Sequence, residues 1–324
     1  MPQLTIVQAV AFALKQEMER DPTVLVLGED VGRNGGVFRA TEGLINEFGD
    51  NRVVDTPLSE SGIVGTAIGL ALYGFKPVAE IQFDGFLYSA LDQLISHAGR
   101  IRTRSRGRFH VPLVVRVPYG GGIRAPEHHS DSPETFLVHV SGIKVVTASN
   151  PYDTKGLLTS AIRDPDPVVF LEPKRIYRAI RGDVPEEDYV VPLGKAKIVK
   201  EGEDVTVISW GSMMRPVVEA ADRVKDKIST EVIDLRTLSP MDVETISKSV
   251  EKTGRVVIVH EAPKTCGVGA EVAASINEKV FLSLEAPIQR VTGFDVPFPL
   301  YKLENYYLPN ADRISKAIEK VSSF

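Results

Sequence analysis

Short β-branched runs alternate with segments of helical period along this chain, and that alternation limits the fold more than any other feature of the sequence. In the first half the runs are VLVLGED (24–30), RVVDT (52–56), KPVAEIQ (76–82), PLVVRV (112–117), IKVVTAS (143–149) and PVVFLE (167–172). Between them lie amphipathic stretches such as TIVQAVAFALKQEMER (5–20), with Thr5 placed as an N-cap. Strands alternating with helices predict βαβ units around a mainly parallel sheet covered on both faces. The rhythm breaks from about 175 to 204, where prolines and charges gather and part of the segment reads as an edge strand. It resumes with VTVISWG (205–211), TEVIDLR (230–236), RVVIVHE (255–261) and IQRVTG (288–293), separated by segments such as PMDVETISKSVEKT (240–253). The fold class expected is α/β in two domains, 1–185 and 186–324, each with a mainly parallel sheet covered by helices.

Composition removes several classes of function. The balance of 38 basic and 43 acidic residues gives a net charge of −5 and no basic footprint for nucleic acid. Only RIRTRSRGR (100–108) is locally basic, and it reads as the solvated or subunit-facing end of a helix. A single cysteine, Cys266, forms no intramolecular disulfide and fits a reducing compartment. MPQLTIVQAV lacks the pattern of an export signal, and no window reaches the roughly 18 apolar residues that a membrane span needs, so a cytoplasmic location without membrane partners is expected.

In folds of this type, ligands bind outside the carboxyl ends of the strands. The loop GEDVGRNGG lacks the Gly-x-Gly-x-x-Gly spacing, and Glu29 and Asp30 would repel a pyrophosphate. The next loop, TPLSE, opens a helical run at Glu60. A carboxylate in a first turn is accounted for by the helix dipole alone, at roughly 0.3 to 1 kcal/mol. Gly62, Gly65 and Gly69 argue for more, since each costs about 1 kcal/mol in a helix relative to Ala and together they leave one face without side chains. That face is expected to meet another backbone or a flat ligand. An acid beside it is desolvated and competent to share a proton with a ring nitrogen. Downstream, Gln82, Phe83 and Phe86 end a strand. Either aromatic is placed to stack on a heterocycle or to join the core. In PYGGGIRAPEHHSDSPE (118–134), three glycines loosen a loop that carries His128 and His129, and one of these is suited to general acid or base work near neutral pH.

Several blocks together carry a resemblance: GEDVG, GGVFRATEGL, DTPLSE, GFKPVAEIQF, HHSDSPE, KGLLTSAIRDPDPVVFLEPK and EVIDLRTLSPMD. In this order and over essentially the whole chain, the sequence resembles the β subunit of the E1 component of 2-oxoacid dehydrogenase complexes. The resemblance implies a pyrimidine-type thiamine diphosphate domain followed by a transketolase C-terminal domain. It also implies an α2β2 heterotetramer with an E1 α subunit, β–β self-contact, and service to an E2 acyltransferase core through its lipoyl domain. Glu60 matches the acid that hydrogen-bonds the aminopyrimidine ring, Phe86 the aromatic packed on that ring, and Leu58 lies in the same contact, with Gln82 beside them. His129 resembles the histidine that acts in decarboxylation and acyl transfer to lipoamide. Leu113, Ala161, Ile162, Asp164 and Asp166 match positions around a structural potassium ion, mostly through carbonyl oxygens, and Asp166 stands where some members have Asn. The family's Gly-Asp-Gly and paired Asn, which bind Mg2+ at the diphosphate, do not occur here. The α subunit is expected to supply them.

As substrates, HHSDSPETF and FLEPKRIYR favour branched-chain 2-oxoacids slightly, while GRNGGVFRATEGL keeps a pyruvate or acetoin dehydrogenase close behind. The alternative of another class is a mainly structural subunit that docks E2, which would not require the set Glu60, Phe86 and His129.

Overall fold

The computed structural model describes residues 1–324. Its first-half strands are β1 (Gln3–Leu4), β2 (Val24–Gly28), β3 (Val53–Asp55), β4 (Lys76–Glu80), β5 (Val114–Tyr119), β6 (Lys144–Thr147), β7 (Val168–Pro173) and β8 (Gly182–Asp183). The second half adds β9 (Lys197–Lys200), β10 (Val205–Ser209), β11 (Thr230–Asp234), β12 (Thr237–Ser239), β13 (Val256–Val259) and β14 (Gln289–Val291). A seven-stranded sheet runs β12-β6-β7-β5-β4-β2-β3, and a five-stranded sheet runs β14-β13-β10-β11-β9. Within them the inner pairs are parallel, and only β12 against β6 and β9 against β11 are antiparallel.

The strand residues explain this arrangement. β2, β5, β7 and β10 are buried along their whole length, as parallel strands with helices on both faces must be. β9, read as Lys-Ile-Val-Lys, is largely exposed, and its terminal lysines discourage pairing at a sheet edge. The helix Ile6–Arg20 starts as its sequence predicts: Gln8 N donates to Thr5 Oγ1 while Thr5 N donates back to Gln8 Oε1 at 3.0 Å. The pairing of β1 with β8 and the insertion of β12 were not foreseen. Both are two- or three-residue strands that carry no period of their own, and only tertiary neighbours define them.

The two halves share a core. One apolar cluster of 37 buried side chains runs from Leu27, Val115 and Leu171 of the first sheet to Ile208 and Ile258 of the second, so surfaces between the sheets are as fixed as those within them. In the middle of the first sheet, Arg116 is fully buried and joined to acids on both neighbouring strands. Its Nη1 donates to Glu80 Oε2 at 2.7 Å, and Nε and Nη2 donate to Glu172 at 2.6 and 2.9 Å.

The glycine face is left open by this chain. In the helix Glu60–Leu72, a methyl group at Gly69 would meet nothing, one at Gly62 would meet only Ser59, and one at Gly65 would touch Gln93. Gly62 and Gly69 are exposed, so this chain packs no backbone of its own against them.

Candidate functional site

The loops after β2, β3 and β4 meet at one end of the first sheet. Thr56 N donates to Gly28 O at 3.0 Å, and Gln82 Nε2 reaches Glu29 O at 3.3 Å and Asp30 Oδ2 at 3.4 Å. Glu60 is the first residue of its helix and half-buried. Ser89 Oγ donates to its Oε2 at 3.1 Å, and no donor of the chain meets Oε1. Burial pushes the Glu29 carboxyl up, and the charges of Asp30 and Glu60 push it further the same way. Three acids therefore gather where many doubly wound folds hold a phosphate. Leu58, just before them, is 72 % exposed.

His129 sits on the same platform. Its ring lies 4.3 Å from that of Phe83 and 5.1 Å edge-on from that of Phe86, while Phe83 and Phe86 meet edge to face at 5.8 Å. A carbonyl can only accept, so the 2.7 Å contact of His129 Nδ1 with Glu127 O puts the proton on Nδ1. Nε2 is left free, as an acceptor in the neutral ring and as a donor in the charged one. His128 is exposed in left-handed backbone (φ 63°), and Gly85 N donates to its carbonyl at 3.2 Å. A Cβ at Gly85 would lie 2.3 Å from that oxygen, so the approach requires glycine.

Glycines gave the loop freedom in sequence, yet in the fold its base is pinned. Gly120 N donates to Asp131 O at 2.9 Å and to Asp84 Oδ2 at 2.9 Å, and Gly121 N donates to Glu261 Oε2 of the second half at 3.0 Å. Burial pushes Glu261 up and Asp84 up to about 7. Lys174 Nζ donates both to Asp84 Oδ2 and to the His129 carbonyl, each at 2.8 Å. Sequence reasoning passed over Glu29 except as a repellent, and gave Asp84, Lys174 and Glu261 no role. Their only signal was a charge at or just beyond a strand end, as in FDG, EPK and VHE.

The other histidines lie apart from this cluster. His110 accepts from Arg102 at 2.6 Å, and His260 is buried flat against Trp210 at 5.3 Å, where burial pulls its pKa down to about 4.

The five residues expected around a cation come together at the join of the helix Pro151–Arg163 with β7. Val168 N donates to Leu113 O at 2.9 Å, and Asp164 N donates to Ala161 O at 3.2 Å. Lys144 holds Asp164 at 2.7 Å, and Arg102 holds Asp166 at 3.1 Å. Both carboxylates are already neutralised by cations, so main-chain oxygens are the donors this cluster retains. Those suit a large monovalent ion better than a small divalent one.

Two family profiles match the chain: the transketolase pyrimidine binding domain over residues 2–179 and the transketolase C-terminal domain over 194–314. The pyruvate dehydrogenase E1 component subunit beta of Bacillus subtilis is 53% identical over 325 residues, covering 100% of both chains. That of Acholeplasma laidlawii is 53% identical over 320 residues, covering 98% of each. In fold the chain resembles a solved structure described as a split gene transketolase, inactive beta4 tetramer. The TM-score is 0.77 at 23% identity, over 99% of both chains. The relatives' names do not support the slight preference for branched-chain acids read from HHSDSPETF and FLEPKRIYR. Those blocks lie in the pinned loop and at the end of β7, where Lys174 donates to the His129 carbonyl. No helix is long and apolar enough to cross a membrane. By these profiles and relatives, the chain belongs to the E1 β-subunit family of the 2-oxoacid dehydrogenases and is built from the two transketolase domains.

Proposed function

We propose that this chain is the β subunit of a pyruvate dehydrogenase E1, which acts with an α subunit to decarboxylate pyruvate oxidatively and pass the acetyl group to the lipoyl group of E2. The observation that carries the reading is the meeting of Glu60, Phe86 and His129 in the loops after β3, β4 and β5 at one end of the first sheet. Relatives named pyruvate dehydrogenase support pyruvate over longer acids.

The chain's residues fit one end of thiamine diphosphate. Glu60 Oε1 has no protein partner and lies beside an aromatic platform, as a protonatable aminopyrimidine needs. Glu29, Asp30 and Glu60 would repel phosphate, so the diphosphate and its Mg2+ belong to the α subunit. When bound, this cofactor supplies the electron sink for decarboxylation. Glu60 holds a proton against the ring nitrogen, Phe86 and Leu58 offer apolar surface to the ring, and Gln82 orients the neighbouring backbone. When the dithiolane of a lipoyl group opens, a carbon–sulfur bond forms, the sulfur–sulfur bond breaks and the leaving sulfur takes a proton. In its charged form His129 can deliver it from Nε2.

The partners follow from open surfaces. The bare face at Gly62 and Gly69 is assigned to the α subunit, and the exposed Leu58 points to the same contact. A groove of about 1490 Å³ between the two halves, lined by Leu91, Ile95, Phe136, Val138 and Val268, is assigned to a second β chain in an α2β2 assembly. The E2 core and its lipoyl domain complete the set. A structural potassium ion would be held by main-chain oxygens of Leu113, Ala161, Ile162, Asp164 and Asp166. The test is to reconstitute the chain with its α partner and compare pyruvate with branched 2-oxoacids. One methylene changes kcat/KM by roughly 10- to 200-fold, so pyruvate is expected to lead by at least tenfold. A branched acid used better than pyruvate would refute the assignment.

A further inference from the structure

We propose that Lys174 is a positioning residue for acyl transfer: locked by Asp84, it holds the main chain of His129 and the aromatic plate beneath its ring, and so sets where Nε2 points. The proposal rests on the role given to His129 above.

Three contacts of one ammonium carry it. Lys174 Nζ donates to the His129 carbonyl at 2.8 Å and to Asp84 Oδ2 at 2.8 Å, and it lies 5.3 Å from the centroid of Phe83. The Phe83 ring is in turn 4.3 Å from that of His129. The lysine thus touches both the backbone and the packing surface of the same histidine, and neither its own side chain nor that of Asp84 reaches solvent.

Asp84 is fixed in the same network. Its Oδ2 also accepts from Gly120 N at 2.9 Å, and its Oδ1 accepts from Gly85 N at 3.0 Å, the residue pressed against His128. One carboxylate therefore ties the turn after β4, the start of the histidine loop and the lysine into a single unit. Burial pushes Lys174 down and Asp84 up, yet three N–H donors on the carboxylate favour the ion pair. A neutral residue would have served for packing alone. Placing an ammonium here costs desolvation and returns a directed hydrogen bond to a carbonyl that flexible packing cannot orient.

Four reconstituted α/β assemblies test the proposal: parent, His129→Ala, Lys174→Met with Asp84→Asn, and all three changes together. The paired change is used because Lys174→Met alone would leave a buried, unpaired carboxylate and threaten folding. Each assembly is assayed for acetylation of a lipoylated E2 domain and for pyruvate decarboxylation with ferricyanide, and the ratio of the two rates is the readout. Misplacing a reacting group by about an ångström costs roughly a hundredfold, so the paired change is expected to lower the ratio tenfold or more in the parent. In the His129→Ala background it should lower the ratio no further. A ratio that holds in the paired variant while His129→Ala lowers it overturns the proposal and leaves the function intact. A further fall in the His129→Ala background shows that Lys174 acts by another route, which also overturns it. If His129→Ala itself leaves the ratio unchanged, the role of His129 fails, and the proposal with it.

Discussion

Replacing Glu60 by Gln separates its two readings, because the change keeps size and one hydrogen bond while removing a charge and a proton. Ser89 Oγ donates to Glu60 Oε2 at 3.1 Å, and the amide oxygen of Gln can accept that bond unchanged. What is lost structurally is a carboxylate at the first position of the helix Glu60–Leu72, worth roughly 0.3 to 1 kcal/mol and less where the group is half solvated. The fold and assembly should therefore survive, with a thermal midpoint lowered by no more than about 2 to 4 °C. Catalysis is a different matter. An amide cannot give a proton to a ring nitrogen, and general acid–base assistance is worth roughly 10² to 10⁴ in rate. Ferricyanide-linked decarboxylation by the reconstituted assembly is expected to fall by that factor at saturating thiamine diphosphate. A variant within about threefold of the parent would leave the helix dipole as the whole account of Glu60 and remove it from the chemistry.

Other groups make independent expectations. Arg116→Met strands Glu80 and Glu172 in the sheet interior, where breaking a buried pair costs roughly 3 to 5 kcal/mol, so scanning calorimetry should show a midpoint lowered by about 10 °C. A change under about 2 °C would show that the acids take up protons without penalty. His260 is neutral and buried with its folded pKa depressed to about 4, so as pH falls below about 6.5 the unfolded chain binds a proton that the folded chain refuses, and stability is lost. Relative to His260→Phe, which keeps the stacking on Trp210, the parent should lose about 3 kcal/mol between pH 7 and 4; parallel denaturation curves over that range would refute the burial argument. Gly85→Ala should slow lipoyl acetylation about tenfold or more, since its Cβ would displace the His128 carbonyl; an unaffected rate would mean that the histidine turn moves freely.

Much of the frame was legible in sequence because the buried parallel strands are continuous β-branched runs, as in Val24–Gly28 and Val205–Ser209, and the first helix carries its own capping side chain in Thr5. Thr237–Ser239 was not legible, since its pairing with Lys144–Thr147 depends on a neighbour about ninety residues away in the chain. Within the site, the aromatic and histidine positions could be named from loops after strands. The Lys174–Asp84 brace could not, because a charge at a strand end reads the same whether it faces water or another charge. Only the fold shows that Asp84 accepts from Gly120 and Lys174 at once. The open face at Gly62 and Gly69 marks a different limit: the small residues were visible, but nothing in this chain packs against them.

On the proposed function, charge accounts for a site divided between subunits. In doubly wound folds a helix start after a strand commonly receives phosphate, because its free N–H groups and dipole favour an anion. Here that position is taken by Glu60, with Glu29 and Asp30 beside it, and Glu29 is pushed up first by burial and then by the charges of Asp30 and Glu60. A diphosphate brought to this end of the sheet would meet like charge, whereas a ring that exchanges a proton with a carboxyl meets a partner. On the proposed function, the residues that suit the ring are also those that disfavour the diphosphate. A ligand that must touch two chains to be held stabilises the assembled state by RT ln(1 + [L]/Kd), about 2.7 kcal/mol at a hundredfold excess over Kd. On the proposed function, assembly and cofactor binding become one linked equilibrium.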